Sequence, residues 1–306
     1  MDKLSIISLS VLLIAIVAAG CDSSGNTQNG GPGSPYIGGT YGMIANFESF
    51  GVLENNIPTI FEGETFPVEV TLKNKGEEPI EAGTAQINIV GIAATDYTGI
   101  DLEKTNINIL EKVSDINPTG GEETVDFGDA QYAHDIKTSF YDAKIFAQYQ
   151  YPYATHVTVP QVCFKEDTQD TTICTAEEKK TSYSSGAPIA VTNVEEKRAG
   201  AGIIALEYTV DNIGGGEVAA PDKDFDVRYG TIAFSLDESA NPGDWECKMG
   251  GQENGGRLTD NKGVIRCKLL QPMEENTLYT KQIDMTISYK YRNLIQQDIR
   301  IKNKEE

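Results

Sequence analysis

The chain has 306 residues, with 46 acidic side chains against 25 basic ones, a net charge of −21 and a pI near 4.5. A surface of that sign repels phosphate backbones and anionic lipid headgroups, which excludes nucleic acid as a partner class. Apolar residues make up 39% and Tyr (14) far outnumbers Trp (1), so the length suffices for two domains built of half-buried strands.

Residues 4–20 read LSIISLSVLLIAIVAAG, an apolar run behind Lys3 that closes in small residues before Cys21. A charged start, an apolar stretch and a small-residue exit make 1–20 a secretory signal. The segment 21–40 opens CDSSGNTQNGGPGSP, a polar Gly/Ser/Asn/Pro tether. Val17-Ala18-Ala19-Gly20-Cys21 resembles the lipobox of prokaryotic lipoproteins, with Ala18 in place of the favoured Leu. That resemblance implies cleavage before Cys21 and a lipid on its thiol. The protein would then be held to the extracellular face of the cell membrane. The alternatives are an uncleaved N-terminal helix, for which the run is at the short limit of a span, and plain secretion.

The first unit is expected over 41–185. At 66–76, FPVEVTLKNKG alternates apolar Phe66, Val68, Val70 and Leu72 with polar residues, the period of a strand with one face on a core. It stops at Asn74-Lys75-Gly76, where Asn and Gly suggest a left-handed turn. Gln86–Val90 is a further short strand, with turn signals at 75–79 and 118–121. Glu122, Glu123, Asp126 and Asp129 form an acidic cluster without cation-binding order. Ala143, Ile145, Ala147, Tyr149 and Tyr151 alternate along one strand, and after a short break 156–159 reads as the return arm of a closing hairpin.

The second unit is expected over 186–306. Ile204, Leu206, Tyr208 and Val210, followed by Asn212-Ile213-Gly214, repeat the earlier pattern 138 residues later, Asn and Gly included. Thr231–Leu236 is a strand, and 241–243 and 261–263 are turns. Ile283, Met285, Ile287, Tyr289 and Tyr291 match the earlier alternation at an offset of 140, with 298–301 as the return arm. No convincing long amphipathic helix occurs. Many short strands with regular turns argue for an all-β chain of two antiparallel β-sandwiches, immunoglobulin-like rather than jelly rolls.

With Cys21 assigned to lipid, each unit keeps two cysteines. Local disulfides, Cys163 with Cys174 and Cys247 with Cys267, are favoured because short loops close at lower entropic cost. Reduced thiols or a metal site are the alternatives, and the absence of CxxC with only two histidines weakens zinc. Disulfides would fit an oxidising exterior. Asp222, Asp224 and Asp226 alternate after Pro221, so an extended segment would present three carboxylates on one face, a candidate calcium site. The bland alternative is a solvated acidic loop.

Catalytic motifs are missing. No Gly-x-Ser-x-Gly elbow, His-Glu-x-x-His, P-loop or dinucleotide fingerprint occurs, and His134 and His156 lack a motif-borne nucleophile. The chain is expected not to be an enzyme and to need no cofactor beyond a possible Ca2+. No usable Asn-x-Ser/Thr sequon occurs either.

Glu62 to Gly76, EGETFPVEVTLKNKG, resembles the opening of Ig-like modules of archaeal and bacterial surface proteins, of the cell-adhesion-related and S-layer-associated types. The second unit keeps Asn212 and Gly214 but has Ala199-Gly-Ala-Gly202 in place of Gly63-Glu64. The resemblance implies an extracellular structural or adhesive role, with envelope proteins or glycans as partners, and supplies no catalytic residues. The other readings are a solute- or glycan-binding lipoprotein and an accessory module of a surface hydrolase.

Overall fold

The computed structural model describes residues 33–304. The expected signal segment, Cys21 and the tether up to residue 32 lie outside the described residues. In chain order the first-half strands are β1 (Met43–Phe47), β2 (Val52–Glu54), β3 (Ile57–Phe61), β4 (Thr65–Asn74), β5 (Gln86–Val90), β6 (Tyr97–Thr98), β7 (Glu103–Thr105), β8 (Glu122–Tyr132) and β9 (Phe140–Lys165). Then follow β10 (Glu178–Lys180), β11 (Tyr183–Ser184), β12 (Ile189–Gly200), β13 (Ile203–Asn212), β14 (Glu217–Ala219) and β15 (Gly230–Leu236). The series ends with β16 (Trp245–Met249), β17 (Gln252–Glu253), β18 (Gly255–Leu258), β19 (Lys262–Leu269) and β20 (Leu278–Lys302). Two single-turn 3-10 segments, 238–240 and 242–244, are the only helical residues described, and no described helix is long and apolar enough to cross a membrane.

The alternating positions do what their period requires. Val68, Val70 and Leu72 in β4 and Ile204, Leu206, Tyr208 and Val210 in β13 are all fully buried. Their strands lie in separate sheets, ordered β1-β4-β8-β6 and β10-β12-β13-β19-β16-β17. Both sheets share one core with a third, ordered β18-β15-β20-β9-β5-β7. The opposite face of β9 and β20 carries Gln148, Gln150, Lys290, Arg292 and Gln296, as expected of an antiparallel sheet with one solvated side.

The closing hairpins expected at each Tyr-x-Tyr do not form. β9 runs unbroken for 26 residues and β20 for 25, and the two pair antiparallel along almost their whole length. Pro152 sits within β9, between Gln150, the last residue paired with β5, and Val157, the first paired with β11. A strand flank without a partner there tolerates a residue lacking an N–H. One bulge interrupts the ladder, where Pro160 and Gln161 face the single Gln282.

The pairing register carries a local two-fold symmetry. Pro152 pairs with Lys290, its own counterpart at the 138-residue offset. Tyr151 faces Tyr291 with ring centroids 6.1 Å apart, and Tyr153 faces Tyr289 at 6.3 Å. The tyrosines therefore correspond as Tyr151 to Tyr289 and Tyr153 to Tyr291, the same offset as the opening strands, and the 140-residue alignment is corrected. The symmetry has a topological consequence. The first half of β9 carries β5 and pairs with residues 292–302 of β20, while the first half of β20 carries β15 and pairs with residues 153–165 of β9. The C-terminal segments of β9 and β20 thus each pair with the opening segment of the other strand, within one sheet, across the boundary expected at 185/186. Such an exchange is isologous, as in a two-fold dimer.

Asn-x-Gly also has a different cause from the one expected. Neither Asn74, Gly76, Asn212 nor Gly214 has a positive φ. Instead, the Tyr153 hydroxyl donates to Asn74 Oδ1 (3.2 Å) and accepts from the Glu78 N–H (3.2 Å), while Asn74 Nδ2 donates to the Glu78 carbonyl (2.7 Å). In the second half the Tyr291 hydroxyl donates to Asn212 Oδ1 (3.1 Å) and accepts from the Gly216 N–H (2.6 Å), and Asn212 Nδ2 donates to the Gly216 carbonyl (2.7 Å). A Cβ on Gly214 would lie 2.5 Å from the Tyr291 hydroxyl, and one on Gly76 would strike that of Tyr153. The motif marks a clasp between a strand end and a tyrosine of the facing sheet, and glycine is needed there for space.

Candidate functional site

The four cysteines of the described region form two disulfides, Cys163–Cys174 and Cys247–Cys267. Cys247 and Cys267 are direct partners across β16 and β19. Cys163–Cys174 fastens the loop that follows β9. Inside that loop the buried Lys165 ammonium donates to the carbonyls of Asp170 (3.1 Å), Thr172 and Cys174 (3.4 Å) and pairs with the Asp170 carboxylate at 2.9 Å. Across from it, Glu196 Oε2 accepts from the Cys163 N–H (3.0 Å) and the Lys180 ammonium (2.8 Å). Glu196 is fully buried, and that burial raises its carboxyl above the usual range.

Asp222, Asp224 and Asp226 lie on the loop between β14 and β15. Asp226 is bound by its neighbour Arg228, whose Nε and Nη2 donate at 2.9 and 2.5 Å, and this pairing holds its carboxyl well below the ordinary value. The Asp222 carboxylate is 3.3 Å from the Lys223 ammonium. Among the described residues no three His, Cys, Asp or Glu side chains converge as ligands for a cation. The acidic cluster of β8 serves the backbone instead: Glu123 accepts from the N–H groups of Ile107 and Asn108, and Asp126 from that of Gly128.

The histidines hold structure together. His134 Nε2 lies 2.9 Å from Asp96 at the surface. His156 Nε2 meets Glu78 Oε2 at 2.9 Å and its Nδ1 meets Thr286 Oγ1 at 3.3 Å. The Thr286 hydroxyl donates to Asp237 at 3.0 Å, so its proton is already committed and the group is not an activated nucleophile. The chain Glu78–His156–Thr286–Asp237 ties a loop of the first half to β9, β20 and the loop after β15.

Sequence reasoning missed one cleft. At the tip where β9 ends and β20 begins, Tyr279 is the cross-strand partner of Phe164, and their rings stack with centroids 4.9 Å apart and planes within 6°. Trp245 meets Phe164 edge-on at 6.1 Å, and its indole N–H donates to the Ala240 carbonyl at 3.1 Å. Phe164 and Trp245 are buried, whereas Tyr279 is 49% exposed. The cleft has a volume of about 540 Å³. Its rings come from three strands far apart in the chain, so no local pattern links them. The lone tryptophan beside Cys247 was the one available signal.

No protein-family model matches the chain, and none of the curated proteins matches it. A solved structure described as "The Triple Jelly Roll Fold and Turret Assembly in an Archaeal Virus" aligns with 86% of this chain and 92% of its own, at 5% identity and a TM-score of 0.12. A likeness that low carries no argument about fold or function.

Proposed function

We propose that this chain is a non-catalytic cell-surface protein, lipid-anchored through Cys21, whose two Ig-like sandwiches serve adhesion or envelope assembly with protein or glycan partners. The observation that carries this reading is the β9·β20 ladder. It ties the two halves of the chain together through continuous hydrogen-bonded sheet rather than a linker, and each half carries a local disulfide. A stiff body of that kind suits spacing and presenting partners, and its disulfides favour an oxidising compartment outside the cytoplasm. A transporter-linked solute-binding lipoprotein, which ordinarily has two α/β lobes with many helices, is less well supported by an all-β chain. The test is fractionation of cells carrying the intact protein and Cys21→Ala, combined with protease treatment of whole cells and cross-linking of the envelope. The expected result is a membrane-bound, protease-accessible wild type, a released variant and cross-links to envelope components. A Cys21→Ala protein that stays with the membranes, or a wild type shielded from protease, overturns the anchored placement.

A further inference from the structure

We infer that the Phe164–Trp245–Tyr279 cleft is a binding subsite for a neutral oligosaccharide, which rests on the surface reading above and names its partner class. A sugar ring presents an apolar C–H face and a rim of hydroxyls, so its site needs an aromatic platform surrounded by uncommitted donors and acceptors. Tyr279 supplies the platform. One ring face lies on Phe164, which Trp245 holds edge-on, so the half-exposed ring is fixed before any ligand arrives. Asn241, Asp244, Gln271, Glu274 and Lys281 stand around it. Among the described residues none of these five side chains has a hydrogen bond or ion pair with another residue. The loop of Asp226 differs in this respect, since its carboxylate is already satisfied by Arg228.

Charge narrows the class. Two rim carboxylates against one ammonium, on a protein of net charge −21, disfavour acidic sugars. A cleft of about 540 Å³ falls within the range of small-molecule sites and has room for a disaccharide. The cleft lies at the end of the β9·β20 ladder, beyond Thr158, whose Oγ1 lies 3.1 Å from the Tyr36 hydroxyl. The symmetry-related residue at the opposite tip, Tyr141, is 41% exposed and stacks on Tyr132 at 5.4 Å. It provides a matched control.

Trp245 is the sole tryptophan of the chain, so its fluorescence reports on this cleft alone. The intact protein is titrated with N,N′-diacetylchitobiose, cellobiose and mannobiose, with glycerol as a control for bulk solvent effects. The expected result is a saturable emission change with at least one disaccharide, at a half-saturation near or below ~1 mM. Tyr279→Ala should weaken it at least about tenfold, equivalent to about 1.4 kcal/mol, and Tyr141→Ala should leave it unchanged. No saturable change with any of the three sugars, or an unaltered half-saturation in folded Tyr279→Ala, overturns the proposal. If circular dichroism shows that Tyr279→Ala has lost its sheet structure, Asp244→Asn combined with Lys281→Met takes its place under the same criteria. Loss of sugar binding leaves the fractionation result untouched, and a failed fractionation with sugar binding intact overturns only the membrane placement.

Discussion

Removing one hydroxyl from the tyrosine clasp tests the explanation of Asn-x-Gly. In Tyr291→Phe the ring stays, but the Gly216 N–H loses its acceptor at 2.6 Å and Asn212 Oδ1 loses its donor at 3.1 Å. An orphaned, largely buried polar group costs about 1–3 kcal/mol, and that is the expected destabilisation. Tyr153→Phe should cost somewhat less, about 1–2 kcal/mol, because Asn74 Oδ1 keeps the Gly76 N–H at 3.1 Å. The assay is urea unfolding with the midpoint followed at constant slope. Asn212→Ala combined with Tyr291→Phe should show a coupling of about 0.5–3 kcal/mol, since both act on one network. The glycine separates space from backbone freedom. If left-handed geometry governed position 214, Asn would be tolerated there. The clasp instead predicts that Gly214→Asn and Gly214→Ala both cost about 1–3 kcal/mol, since a Cβ would meet the Tyr291 hydroxyl and Pro188 Cβ at 2.5 Å. Tyrosine variants within about 0.3 kcal/mol of wild type, an additive double mutant or a harmless Gly214→Asn would each refute the clasp.

Three further outcomes are expected. Opening either disulfide, by Cys174→Ser with Cys163→Ser or by Cys247→Ser with Cys267→Ser, should cost about 3 kcal/mol in the same urea assay, from loops of 11 and 20 residues. Lys180→Met should cost about 3–5 kcal/mol by stranding the fully buried Glu196 carboxylate, and adding Glu196→Gln should recover part of that loss. The hydrogen bond to Glu78 raises His156 above its ordinary value, outweighing desolvation, so the folded state binds this proton more tightly than the unfolded chain. Its stabilisation is complete below pH ~6.5 and is lost as pH rises through the elevated folded value. The urea midpoint of the wild type should therefore fall across that window relative to His156→Gln. Parallel curves for the two proteins would contradict the sign.

Much of the fold was legible because strand burial is a local property. Period-two alternation at Phe66–Leu72 and Ile204–Val210 names the buried face before any partner is known, and all of those positions are buried. Local cysteine pairing was legible for a related reason, since loop entropy depends on separation along the chain. The clasp was visible only as a recurring Asn-x-Gly. Its cause lies on tyrosines 79 residues further along, in the facing sheet. The cleft left only the lone Trp245 as a signal, because Phe164, Trp245 and Tyr279 share no segment.

The sequence by itself determined an all-β chain, its core-facing residues and its two disulfide pairs, since each depends on neighbours or on short loops. Only the tertiary structure decided that the Tyr-x-Tyr segments run straight on as 26- and 25-residue strands and exchange their ends across a local two-fold. The break expected at 152–155 opens on Pro152, and what keeps the chain extended there is the matching strand of the other half. A ladder between segments more than a hundred residues apart leaves no trace in the local pattern of either one.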